Sequence, residues 1–149
     1  MASAAFTSAG TTISVVSGEP TSYDQSGFEG LTYAEIGEVT DLGEFGREYS
    51  LVTHNPLGGR QTVKRKGSYN DGQVSMTVAR VPGDAGQSEL VTAVDSDDNY
   101  SFKVVLQDGR VLYFIGQVMS YTANVGSVDQ ITTASVTVEI TDEIIEVAA

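Results

Sequence analysis

The chain has 149 residues, with 20 Asp and Glu against 8 Lys and Arg, one His, no Cys and no Trp. At 40% hydrophobic and 19% charged it reads as one globular domain, too short for two full cores. The missing cysteines exclude a disulfide framework, a Cys-zinc site, an iron–sulfur cluster and a thiol nucleophile, and a formal charge of −12 opposes any surface that must hold phosphates.

In chain order, residues 1–30 are rich in Ser, Thr, Gly and Ala and read as a terminal arm, with room for a short strand over 11–16. The opening MASAAFTSAGTTISVV has no basic stretch before its apolar residues, so it does not read as a secretory signal. No apolar run approaches the roughly 20 residues of a membrane span, and the sequence predicts a water-soluble protein with no membrane binding. Residues 31–149 read as a single β domain. Tyr33, Ile36 and Val39 sit in a strand-like setting that Gly37 interrupts, the mark of a bulge.

Residues 43–67 carry Gly43, Gly46, Asn55-Pro56 and Gly58-Gly59 without a sustained period, and are predicted to be a long functional loop. Five of the eight basic residues, Arg47, Arg60, Lys64, Arg65 and Lys66, fall within it. The rest is more regular. Val74, Met76 and Val78 alternate with Gln73, Ser75 and Thr77, a period-two strand. Pro82-Gly83 stops it, and Asp84 is placed to cap a helix over about 85–95 with Leu90, Val91 and Val94 on its apolar face. A strand through Phe102, Val104 and Leu106 turns at Asp108-Gly109. The return strand over 111–125 is expected to bend at Gly116. The last strand places Ala134, Val136, Val138 and Ile140 inward, with Ser135, Thr137 and Glu139 outward. The acidic-apolar tail DEIIEVAA has the makings of a short edge strand. The fold class is mostly β: an antiparallel sandwich or partly closed barrel with one flanking helix.

Candidate chemistry is sparse. Asp95, Asp97 and Asn99 have the first three spacings of a calcium loop, but Tyr100 and Leu106 stand where Gly and Glu are required. Gly83 to Ser88 lacks the lysine of a phosphate-binding loop. His54 is the only imidazole, and no nucleophile or metal partner is placed beside it. Glu35 with Glu38, or Glu139 with Asp142, could supply a carboxylate pair, but nothing selects one pair over another. Three basic residues at 64–66 do not overturn −12; an acidic surface on another copy suits them better than nucleic acid. No enzyme, cofactor or metal signature results.

The order of several loose motifs is more informative than any one of them. These are Lys66-Gly67-Ser-Tyr-Asn-Asp71-Gly72-Gln-Val74, Gly86-Gln-Ser88-Glu-Leu90, Phe102 to Gly109, Tyr113-Phe114-Ile-Gly116-Gln-Val118-Met-Ser120-Tyr121, and the strand from Thr132 to Ile140. Over roughly residues 31–141 this series resembles the major tail tube proteins of long, flexible-tailed bacteriophages. The chain departs from some of them in lacking an added immunoglobulin-like domain, and its ending matches no pattern of the family. The resemblance implies two packed antiparallel sheets and hexameric rings stacked into a tube. One sheet of each subunit would join a continuous inner barrel, and the long loop would reach the next ring. It implies a virion protein assembled in the host cytoplasm. Its partners would be its own copies, a tape measure protein, a tail terminator and tail-tip or initiator proteins, with genomic DNA passing through an acidic lumen without specific binding.

On that basis Arg47, His54, Arg60, Lys64, Arg65 and Lys66 are expected at the inter-ring contact, facing Glu38, Asp41, Asp142, Glu143 and Glu146 of a neighbour. Ser75, Thr77, Ser135, Thr137 and Glu139 are expected to face the lumen. Two other readings are a monomeric β-sandwich module binding a carbohydrate or receptor, and the tube protein of a contractile injection system.

Overall fold

Apolar residues that alternate along extended segments can be buried only if the segments pair into a sheet with one face covered. The computed structural model, which describes residues 5–148, realises this with ten strands and two helices among those residues. In chain order they are β1 (Thr12–Ser17), α1 (Gln25–Glu29), β2 (Ala34–Glu35), β3 (Val39–Asp41), β4 (Glu48–His54) and β5 (Val63–Asn70). There follow β6 (Gln73–Ala79), α2 (Ala85–Val94), β7 (Tyr100–Val105), β8 (Val111–Asn124), β9 (Thr133–Ile140) and β10 (Ile145–Val147). Eight strands form one antiparallel sheet in the order β2-β1-β7-β8-β9-β6-β3, with β10 beside β8. Among the described residues β4 and β5 pair only with each other.

The large sheet curls into a half-barrel around one core. Ile13 and Val15 of β1, Val74, Met76 and Val78 of β6, Phe102 and Val104 of β7, Phe114 of β8, and Val136 and Val138 of β9 are all buried there. The stretch from β2 to β3 links the two edges. The Ile36 N–H donates to the Ile13 carbonyl at 2.9 Å on one edge, and the Ala79 N–H to the Glu38 carbonyl at 2.8 Å on the other. α2 seals this seam. Its Asp84 cap accepts from the N–H groups of Gln87 and Gly37. The buried Gln87 side chain donates to the carbonyls of Gly37 (3.0 Å) and Ala79 (2.9 Å) and accepts from the Val81 N–H (2.9 Å). Gly86 is required here, because a Cβ would run into the backbone of Glu35 and Ile36.

Four features differ from the sequence expectation. Of the arm predicted over 1–30, residues 1–4 lie outside the described residues, as does Ala149 of the domain predicted over 31–149. Within the same arm, β1 is an interior strand paired with both β2 and β7, and α1 buries Phe28 against Tyr113 and Ile115 on the sheet's second face. The arm's polar composition concealed this, since among its described residues Ile13, Val15 and Phe28 are the large apolar side chains that are fully buried. The excursion over 43–67 is a regular hairpin built from β4 and β5, not an irregular loop. Both its faces meet water, so no apolar alternation announced it. The buried face of α2 is Gly86, Gln87, Leu90 and Ala93, while Val91 and Val94 point outward; docking on the seam selects the small residues. Finally, the register of β8 shifts between Val118 and Ser120 rather than at Gly116, leaving Met119 as an exposed bulge.

Candidate functional site

Three surfaces stand apart from the core. The first is the β4–β5 hairpin. Residues 48–70 hold one acidic and four basic side chains, a net charge of +3, so the remainder of the chain carries −15. The register puts Tyr49, Leu51 and Thr53 on one face with Tyr69, Lys66 and Lys64, and Val52 and His54 on the other with Arg65 and Val63. Lys66 Nζ lies 4.7 Å from the centre of the Tyr49 ring, a cation–π contact. At the bulge opposite Ser50, a Cβ on Gly67 would strike Val52. Leu51, Val52 and Leu57 are exposed, unusual for a two-stranded ribbon that is at best marginally stable alone in water. Arg60 lies in the connection between the strands, and His54 ends β4. Among the described residues, Arg60, Lys64, Arg65 and Lys66 make no ion pair.

The second surface is the hairpin root. The Arg47 guanidinium donates to Glu143 Oε1 at 3.0 Å, lies 3.7 Å from the buried Asp71 carboxylate, and stacks 4.2 Å from the centre of the Tyr69 ring. The Tyr69 hydroxyl donates to the same Glu143 oxygen at 3.1 Å, and the Tyr23 hydroxyl donates to the Glu143 carbonyl. The bond to Glu143 and its negative charge push the Tyr69 phenol above its ordinary pKa. Burial first, then Asp142, Asp71 and Glu143, does the same for Tyr23. Both remain protonated donors at neutral pH.

The third surface is the outer face of β6, β9 and the far half of β8. Three rows cross it: Gln73–Glu139–Gln117, Ser75–Thr137–Ser120 and Thr77–Ser135–Thr122, with Asp41 of β3 beside Thr77. Ser75, Thr77, Ser135, Thr137 and Glu139 therefore share one face, the side opposite the buried valines. Sequence reading missed Ser120 and Thr122, because the Met119 bulge breaks the alternation that would have found them.

The acidic residues expected to face a neighbour's basic cluster have the following surroundings within one chain. Glu143 is engaged by Arg47 within its own chain, and Glu146 pairs with Arg110 at 3.4 Å. Asp142 accepts from the Glu143 N–H, Asp41 from the Gly43 N–H, and Glu38 sits at the seam with a positive φ of 58°.

A family model described as lambda phage tail tube protein, TTP, matches residues 14–145. The chain belongs to that family. A tail tube protein is a structural component of the virion's tail and self-assembles, so the isolated carboxylates have no catalytic role to fill. No match is found among curated proteins. The fold of this tail tube protein is similar to that of the SPP1 tail tube, with a TM-score of 0.63 and 12% identity over 93% of this chain and 77% of the other. It is similar to a chain of the anti-feeding prophage baseplate solved with six-fold symmetrisation, with a TM-score of 0.69 and 7% identity over 99% and 98% of the two chains. A third similar fold is the PVC sheath/tube terminator of an extracellular contractile injection system, with a TM-score of 0.64 and 11% identity over 99% and 100%.

Proposed function

We propose that this tail tube protein closes into hexameric rings, and that the basic hairpin of each subunit bridges to the next ring. The observation that carries the stacking is the hairpin itself: net +3 on a −15 body, with exposed Leu51, Val52 and Leu57 and four cations that form no ion pair among the described residues. A contact between different surfaces of identical subunits propagates without limit unless rotation closes it, so stacked rings give a tube.

Ring closure is supported by two open sheet edges. Among the described residues β3 meets β6 only at Val78 and Thr77, so Gln73 to Met76 have no strand partner there on that side. β7 pairs with β8 only as far as Gly116, which leaves Gln117 to Asn124 open on theirs. Such edges are rows of unpaired donors and acceptors. Joining the β8 edge of one subunit to the β6 edge of the next removes both and makes a continuous inner barrel. Its lumen is the small polar face of Ser75, Thr77, Ser120, Thr122, Ser135 and Thr137, with Glu139 and Asp41 supplying negative charge. Six copies at −12 sum to −72 per ring, so DNA passing through is not held at the wall. The tape measure protein would occupy this lumen before ejection. The terminator and tail-tip or initiator proteins would meet the two ends, and assembly would take place in the host cytoplasm.

Negative-stain electron microscopy of the purified protein with tail-initiation components tests this reading. Hollow tubes of constant diameter are expected at low salt and shorter ones at high salt, because exposed charge contacts are screened. Lys64→Glu with Arg65→Glu should give rings or single subunits in place of tubes. Wild-type protein that stays monomeric under these conditions overturns the proposal.

A further inference from the structure

We propose that Arg47, Tyr69, Asp71 and Glu143 form a clamp within each chain that fixes the direction in which the hairpin leaves the body. They are positioning residues, and they act on stacking through the hairpin rather than by touching the next ring. The inference rests on the stacking reading above.

Among the described residues the hairpin pairs with no other strand. It is joined to β3 and β6 by two short links whose glycines Gly43, Gly46 and Gly72 take positive φ angles of 65°, 151° and 84°. Links of that kind leave the hairpin free to swing unless side chains stop it. The clamp supplies the stop from both sides of the root. Arg47 precedes β4, Tyr69 lies in β5 and Asp71 follows it, while the Gly46 N–H donates to the Asp71 carbonyl at 3.3 Å. Glu143 belongs to the body: it sits in the short excursion between β9 and β10, both of which pair with β8. The chain from Arg47 through Glu143 therefore references the hairpin to the central strand of the sheet. Arg47 and Glu143 are the residues that sequence reading set on opposite sides of the inter-ring contact. Their pairing in one chain gives them this positioning role in place of a contact across rings.

The absence of cysteine allows a direct test. Spin labels on Gly58→Cys, in the connection between β4 and β5, and on Ser88→Cys, on the outer side of α2, report the hairpin-to-body distance in the full chain. The wild-type distribution should be narrow. Arg47→Glu should broaden it about two-fold or more by freeing a locally mobile unit, and Arg47→Glu with Glu143→Arg in the same chain should narrow it again. Tyr69→Phe keeps the ring under the guanidinium and should fall between. Circular dichroism should show the same sheet in all of them, since Arg47 and Glu143 are exposed. An unchanged width in Arg47→Glu overturns the clamp.

Assembly adds a second arm. A mixture of Arg47→Glu chains and Glu143→Arg chains restores tubes if the two residues meet across rings, and leaves assembly defective if they meet within one chain. Rescue by the mixture overturns the clamp while leaving stacking intact. If Lys64→Glu with Arg65→Glu still forms normal tubes, the stacking reading fails, and the distance distributions still decide the clamp.

Discussion

The half-barrel and the hairpin are made from one chain by opposite rules. In the half-barrel, apolar side chains from every long strand converge on a closed core, and the polar groups at the seam find partners in α2. In the hairpin, Leu51, Val52 and Leu57 face water beside four cations that have no acidic partner among the described residues. A segment that exposes apolar area and uncompensated charge gains little from folding on its own and much from a complementary surface. On the proposed reading, the body carries the stability of the subunit, and the hairpin carries its capacity to join another.

The largest effect should come from Phe114→Ala. Phe114 is fully buried, with ring centroids 5.1 Å from Phe102 and 5.8 Å from Phe45. Its truncation should cost about 3–5 kcal/mol in urea unfolding of the subunit. A loss below about 1 kcal/mol would mean that this core does not hold the half-barrel. Gln87→Leu should cost less, about 2–3 kcal/mol, because two part-buried carbonyls and one N–H lose their partner together. A neutral result would show that the seam closes without the Gln87 hydrogen bonds. Smallest for the subunit is Leu51→Asn with Val52→Thr, which should leave its unfolding free energy within about 0.5 kcal/mol while shortening or abolishing tubes in electron micrographs. If that variant instead destabilised the subunit as much as Gln87→Leu, the division between body and hairpin would collapse.

The strands of the second half were legible because each buries one face. Val74, Met76 and Val78, and likewise Ala134, Val136 and Val138, carry a period that no other structure satisfies as well. β1 was legible only as a short apolar run, and its interior position was not, because pairing with β7 some 90 residues later leaves no local trace. The hairpin was visible as an accumulation of charge and glycine, but not as strands, since a ladder with both faces in water imposes no apolar period. The basic excursion could be named from sequence. The pairing of Arg47 with Glu143 inside one chain could not, because the two are brought together from 96 positions apart.

By itself, then, the sequence determined the mostly β class, the alternation of the long strands, the cap of α2 by Asp84, the polar outer residues of β6 and β9, and the concentration of positive charge in one excursion. These follow from local periodicity and composition, which act over a few residues. Only the tertiary structure decided which edges of the sheet stay open, where the Met119 bulge turns Ser120 and Thr122 onto the polar face, and which carboxylates are already engaged within the chain. Those outcomes depend on register and on contacts between distant segments, and sequence order constrains these only through the whole fold.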